Sequence, residues 1–236
     1  MVVPVLNEEK NIPGLLAEIV AAGATVPITE IIFVDDGSTD GTFAVLQGLK
    51  ATTPLLRVLR HDRRARQSAA MWAGVRAARN ALVVTMDGDG QNNPADIVVL
   101  YHKYVQDVGT HPRLMVAGQR VKRQDTWARR WASRTANAIR SALLRDGTRD
   151  TGCSLKLFPR DIYLELPYFD HMHRFLPALM VRAGVHVAHV DVSHRARAHG
   201  VSKYTNLNRA LVGVLDLLGV WWLLQRPYTY PHIREE

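Results

Sequence analysis

The sequence predicts an α/β protein, with a mostly parallel sheet and helices on both of its faces. Two observations lead there. Short apolar runs recur along the chain, and the stretches between them have helical periodicity. Strand–helix alternation requires crossover connections, and these build parallel sheets. A third observation is size: 236 residues, 47% of them hydrophobic, suffice for one substantial core.

The runs Val2–Leu6, Glu30–Val34, Leu55–Leu59, Ala81–Met86 and Leu114–Ala117 read as buried strands. Ile12, Leu15, Leu16, Ile19 and Val20 follow the spacing of one helix face, and Phe43, Leu46 and Leu49 repeat it. Helical stretches follow at Ala70–Ala78 and Ile97–Tyr104. Past residue 119 the pattern changes. Gln119–Arg149 holds nine Arg and Lys but only two Asp, and reads as a basic helical excursion or a solvated helix face. Regular patterning returns at Cys153–Phe158 and His186–Val192. An apolar segment, Leu207–Leu224, carries Trp221 and Trp222 near its end, before a polar tail, Gln225–Glu236. The two Trp suit either ordinary core or a helix lying at a membrane interface.

The chain carries 30 Lys and Arg against 22 Asp and Glu, a net +8. That balance favours anionic partners: nucleic acid, phosphate substrates or an anionic membrane face. No nucleic-acid-binding module is visible, so nucleic acid is not expected. The single Cys153 excludes an internal disulfide, and the cytosol is the default compartment. No signal peptide is visible, so none is expected, and no segment reaches the roughly 18 apolar residues of a spanning helix. The nearest, Leu211–Leu224, is short and contains Asp216. The body is expected to be soluble or peripheral.

In a parallel sheet, ligands bind beyond the carboxyl ends of the strands. Three polar clusters fall there: Asn7-Glu8-Glu9, Asp35 to Gly41, and Asp87 to Asn92. Each has a plain reading as turn chemistry, with an N-cap at Thr39 or Asp40. Gathered carboxylates also repel one another unless a cation or a donor-rich ligand joins them, and their oxygens suit Mg²⁺ or Mn²⁺. His171 and His173 lack a zinc-like ligand set, which favours a surface or packing role.

The order of motifs resembles glycosyltransferase family 2. It runs from Val3-Pro-Val-Leu-Asn-Glu-Glu9 through Val34-Asp-Asp-Gly-Ser-Thr-Asp-Gly41 to Met86-Asp-Gly-Asp-Gly-Gln-Asn-Asn-Pro94. Further on come Arg123-Gln124-Asp125, Asn137, Asp150-Thr-Gly-Cys153, His173-Arg-Phe-Leu-Pro177 and Arg197-Ala-His-Gly-Val-Ser-Lys-Tyr204. That set is similar to the polyprenyl-phosphate branch, with its dolichol-phosphate mannosyltransferase relatives, and spans roughly residues 1–224.

The resemblance implies a GT-A fold over residues 1–206, with a nucleotide half (1–118) and an acceptor half (119–206). Residues 207–236 then form an amphipathic interfacial segment and tail. It implies inverting, metal-dependent transfer of a sugar from a nucleotide diphosphate, UDP rather than GDP, to a polyprenyl phosphate. Pro4, Asn7, Glu8 and Asp36 would line the base and ribose pocket. Asp87, Asp89 and Gln91 would hold the Mg²⁺ or Mn²⁺. Arg197 would meet the diphosphate, with Ser202 and Lys203 nearby. Arg120, Arg130 and Ser133 would take the acceptor phosphate. Asp150 stands as a candidate base or as a plain loop carboxylate. The implied setting is the cytoplasmic face of a membrane, with a membrane-anchored partner or a second copy as further company.

Three rival readings have their own signatures. A processive polysaccharide synthase would need Gln-x-x-Arg-Trp, but Trp127 stands at the Gln position before Arg130-Trp131. A transferase acting on a soluble or protein hydroxyl would need Asp150 as a base. A silent membrane-binding module would not need both Asp87 and Asp89.

Overall fold

A computed structural model describes residues 1–121, 140, 143–196 and 206–226, with side chains from residue 212 onward in the last stretch. Seven strands form one sheet: β1 (Val2–Val5), β2 (Ile31–Asp35), β3 (Leu56–Arg60), β4 (Leu82–Thr85), β5 (Leu114–Arg120), β6 (Lys156–Pro159) and β7 (His186–Val192). Their spatial order is β3-β2-β1-β4-β6-β5-β7. The described helices are α1 (Ile12–Ala22), α2 (Thr42–Thr52), α3 (Arg66–Ala77), α4 (Asp96–Asp107), α5 (Arg160–Glu165), α6 (Leu176–Arg182) and α7 (Asn206–Leu224).

Successive strand residues point to opposite faces, and both faces are covered. Val2, Ile32, Val34, Met115, Ala117 and Phe158 join one apolar cluster, with residues of α3, α5 and α6. Val3, Val5, Ile31, Phe33, Leu114, Val116 and Leu157 join the other, with residues of α1 and α4. This two-sided burial is why the strands read as continuous apolar runs. Gly74 lets α3 lie close on the sheet: a Cβ there would come within 2.4 Å of Val2 Cγ1.

The first four strands lie where the sequence places them, within a residue or so. Strand β5 runs on to Arg120, past the expected Ala117. Strand β6 is antiparallel to both neighbours, with Thr85 opposite Lys156 and Leu82 opposite Pro159. Its first residue therefore lies at the carboxyl edge of β4. The residues just before it, 150–155, are delivered to the edge where ligands bind. Ser154 is held there at two atoms: Thr85 Oγ1 donates to its backbone carbonyl (2.8 Å), and its hydroxyl accepts from Asp87 N–H (3.0 Å).

Helix α7 packs on the core through buried Val220, with Leu217, Leu223 and Leu224 beside it. Asp216 pairs with His171 Nδ1 at 2.9 Å, and Arg182 Nε donates to the Leu223 carbonyl. Val212, Val214, Leu215, Leu218, Trp221 and Trp222 are exposed. Among the described residues, no helix is long and apolar enough to cross a membrane.

Candidate active site

The loops after β1 and β2 are clasped together. Asn7 adopts φ +53, its amide N–H donates to Ser38 Oγ (2.9 Å), and its Oδ1 accepts from Thr39 N–H (2.8 Å). Glu8 N–H donates to Thr42 Oγ1, Glu8 Oε2 accepts from Asn11 Nδ2, and Asp40 accepts from Thr42 N–H. Asp36 serves a second loop. Its oxygens accept from Ala65 N–H (2.7 Å) and Arg66 N–H (2.8 Å), and its Oδ1 pairs with His61 Nδ1 (2.8 Å). That staple holds residues 61–66, so that Arg64 and Arg66 face the cavity.

Asp87 and Asp89 follow β4 directly. Gly88 between them permits close contact with β1, because a Cβ there would come within 2.3 Å of Val5 Cγ1 and 3.0 Å of the Pro4 carbonyl. Asp87 accepts from Gln67 Nε2 at 2.6 Å. Burial, then the Asp89 charge beside it, pushes the Asp87 carboxyl up to about 6. Asp89 Oδ1 accepts from Gln91 N–H at 3.1 Å.

In the same cavity lining, Arg120 holds Asp150 with both arms of its guanidinium: Nε to Oδ2 at 2.6 Å and Nη2 to Oδ1 at 2.8 Å. Lys156 is almost fully buried, and its ammonium donates to the Cys153 carbonyl. Burial pulls the Lys156 pKa down, while the nearby thiol and carboxylates, Asp87 and Asp150 among them, resist that shift.

These groups border one cavity of about 590 Å³. It gathers Pro4, Glu8, Asp36, Asp87, Asp89, Arg120 and Asp150 from the residues the sequence singled out. Asn7 and Gln91 are not among its lining residues; Asn7 clasps two loops, and Gln91 bonds through its backbone to Asp89 and Arg195. Arg130, Ser133, Arg197, Ser202 and Lys203 lie outside the described residues. The sequence reading missed Gln67, Ser154 and Lys156, which line the cavity. They stand on a helix, a loop and a strand with no local signature. His173, for which the sequence favours a surface or packing role, lines the cavity as well. Its place in the His-Arg-Phe-Leu-Pro motif was the available signal.

The two carboxylates fit a divalent cation. Mg²⁺-like ions are held by one or two carboxylates, with substrate phosphates and water completing the shell. Among the described residues no cluster of three or more His, Cys, Asp or Glu could hold a metal alone. Without a cation, Asp87 is a strained group. Its folded value of about 6 exceeds the ~3.9 of an unfolded Asp. The folded state therefore binds the extra proton between those values. The associated stability is complete below about pH 4 and is lost as pH rises through about 6. Asp87→Asn should thus stabilise the metal-free protein at pH 8, by roughly 3 kcal/mol, and change little at pH 4. Thermal unfolding in chelator at both pH values checks this; an equal shift at both contradicts it.

A mostly parallel seven-stranded sheet with a cavity at the carboxyl edge of its strands, lined by a carboxylate pair and several cations, is of the GT-A type. Solved structures share the architecture. Mannosyl-3-phosphoglycerate synthase from Rubrobacter xylanophilus superposes with a TM-score of 0.71 at 17% identity, over 99% of this chain and 77% of that one. Glucosyl-3-phosphoglycerate synthase from Mycobacterium tuberculosis, solved with Mn²⁺, UDP-glucose and phosphoglyceric acid, gives 0.67 at 17%, over 94% and 78%. The chain belongs to glycosyltransferase family 2, whose pattern ("Glycosyl transferase family 2") matches residues 1–166, and it is a glycosyltransferase. Its sequence is similar to dodecaprenyl-phosphate galacturonate synthase of Rhizobium johnstonii, 36% identical over 232 residues, 95% of this chain and 67% of that protein. It is also similar to undecaprenyl-phosphate 4-deoxy-4-formamido-L-arabinose transferase of Aeromonas hydrophila, 33% identical over 207 residues, 86% and 62%. The chain therefore spans about two thirds of the length of these curated relatives.

Proposed function

We propose that the chain transfers a glycosyl group from a nucleotide diphosphate sugar, UDP-linked rather than GDP-linked, to the phosphate of a polyprenyl phosphate. The observation that carries this reading is the charge layout of the cavity. The Asp87–Asp89 pair lines the same cavity as the cationic Arg120, Arg149, Lys156 and Arg174. Such a site suits two phosphate-bearing substrates. The relatives named above supply the acceptor class.

In the proposed step an acceptor phosphate oxygen attacks the anomeric carbon, and the bond from that carbon to the diphosphate oxygen breaks. The electron pair leaves with the nucleotide, and the configuration inverts. The nucleophile is already anionic, so no residue has to remove a proton from it. Arg120, with Arg130 and Ser133, would orient it against its repulsion from the donor. Asp150 holds the Arg120 fork in place, which gives it a positioning role in preference to that of a base. Pro4, Glu8 and Asp36 border the nucleoside end. Arg197, with Ser202 and Lys203, would clamp the diphosphate, because arginine meets phosphate bidentately. A Mg²⁺ or Mn²⁺ at Asp87 and Asp89 would neutralise charge building on the leaving diphosphate.

The direct test incubates purified protein with a panel of UDP- and GDP-linked sugars, Mn²⁺ and a short polyprenyl phosphate, and identifies products by mass. A polyprenyl-phosphate sugar is expected. Transfer only to hydroxyl acceptors, with Asp150→Asn inactive, would overturn the reading.

The same proposal places residues 207–236 at the cytoplasmic face of a membrane. Helix α7 packs on the core along one face and leaves Leu215, Leu218, Trp221 and Trp222 exposed. That disposition suits a helix lying in the interface plane. Leu215→Ser with Leu218→Ser removes apolar area without touching the buried face. It should weaken sedimentation with phosphatidylglycerol vesicles roughly tenfold or more and leave the thermal midpoint unchanged. Unaltered vesicle binding refutes the interfacial helix.

A further inference from the structure

Ser68, in the first turn of α3, is fully buried, and its Oγ lies 2.7 Å from Nδ1 of His173. Among the described residues, that ring nitrogen is the hydroxyl's one side-chain partner. A hydroxyl in the interior needs an acceptor for its hydrogen, because burying it unbonded is costly. Ser68 therefore donates and Nδ1 accepts. A neutral imidazole that accepts at Nδ1 carries its proton on Nε2. Burial, then the Arg174 and Lys156 charges, holds the His173 pKa well below the usual histidine range, so the ring stays neutral. Nε2 has no hydrogen-bond partner among the described residues, and the ring lines the cavity. The turn carrying it, Met172–Arg174, starts from His171 at φ +68, and Asp216 of α7 fixes His171.

The cavity thus holds two kinds of donor. Its arginines and Lys156 bring charge, which suits phosphate oxygens. His173 brings an uncharged N–H, which suits an uncharged oxygen and adds no charge to the site.

We propose that His173 is a substrate-binding residue: its Nε2–H donates a hydrogen bond to a hydroxyl oxygen of the donor's sugar, and Ser68 is the positioning residue that fixes the ring tautomer. This rests on the reading that the cavity takes a nucleotide sugar.

Two measurements test it. Nitrogen–proton correlation spectra of histidine-labelled wild type should show His173 protonated at Nε2 and bare at Nδ1, and Ser68→Ala should disturb that pattern. A wild-type ring protonated at Nδ1 overturns the proposal, with no variant needing to fold. Calorimetry in Mn²⁺ then compares UDP with UDP-glucose, UDP-galacturonic acid and UDP-N-acetylglucosamine. For the sugar nucleotide that wild type binds best, His173→Ala should lose roughly three- to tenfold in affinity, the worth of one neutral hydrogen bond. UDP itself should bind unchanged. His173→Gln, which keeps an N–H at similar reach, should recover most of the loss. Equal losses for UDP and the sugar nucleotide, or no loss, overturn the proposal and leave the proposed function standing. If wild type binds none of the sugar nucleotides, both fall. If the selective loss is seen and no polyprenyl product forms, the acceptor assignment alone fails.

Discussion

Asp89→Ala should lower turnover by at least roughly a thousandfold while the fold survives. The side chain borders the cavity and is not part of either apolar cluster. Its contact to Gln91 N–H sits in a turn where water can replace it. What alanine removes is one of two carboxylates able to hold a cation against the diphosphate. The remaining Asp87 offers a single carboxylate, which leaves any cation at the site with one protein ligand fewer. The variant should also lose the Mn²⁺-dependent part of its nucleotide affinity, and wild type in excess chelator should behave alike. Circular dichroism and thermal unfolding check the fold, and product formation checks turnover. Full activity in the variant, or in chelator, would remove metal-dependent transfer from the account.

Arg120→Ala should be costly for two separate reasons, and a double-mutant cycle separates them. The Arg120 and Asp150 side chains are 18% and 10% exposed and share a bidentate contact. The contact raises the Arg120 pKa, chiefly through the hydrogen bond from its side chain to Asp150. Removing one partner of such a pair costs roughly 3 kcal/mol, because the other charge stays buried without it. Arg120→Ala and Asp150→Ala should each lose about that much stability, and the double variant should lose clearly less than their sum. Activity should not follow this recovery. If Arg120 orients the acceptor, all three variants should fall in turnover by roughly a hundredfold. The apparent KM for polyprenyl phosphate should rise while UDP affinity holds. An Arg120→Ala variant that transfers normally would end the acceptor role. Equal loss of UDP affinity would instead show one shared anion site.

The part of the cavity lining that follows β1, β2 and β4 was legible because its residues are local to the strand ends. Asp36, Asp87 and Asp89 directly follow apolar runs, and a strand end is where a parallel sheet presents ligands. Pro4 and Glu8 were legible for the same reason. Gln67, Ser154 and Lys156 were not. Gln67 lies in a helix and reaches Asp87 only because α3 packs closely over β1 through Gly74. Ser154 and Lys156 reach the edge because β6 runs antiparallel, a direction that apolar patterning does not encode. The sequence favours a surface or packing role for His173, and its half-buried ring fits that reading. What escaped was the open side of its ring.

The sequence by itself determined the two-sided sheet, the family and the carboxylate pair, since continuous apolar runs and strand-end motifs are properties of neighbouring residues. The tertiary structure decided the rest. It set Asp150 against Arg120, thirty residues apart in the chain, and Ser68 against His173, separated by 105. It also set Asp36 as the staple of the 61–66 loop. These pairings depend on how elements pack and in which direction a strand runs. Both are fixed by closing the whole core at once, and no short stretch of sequence carries them.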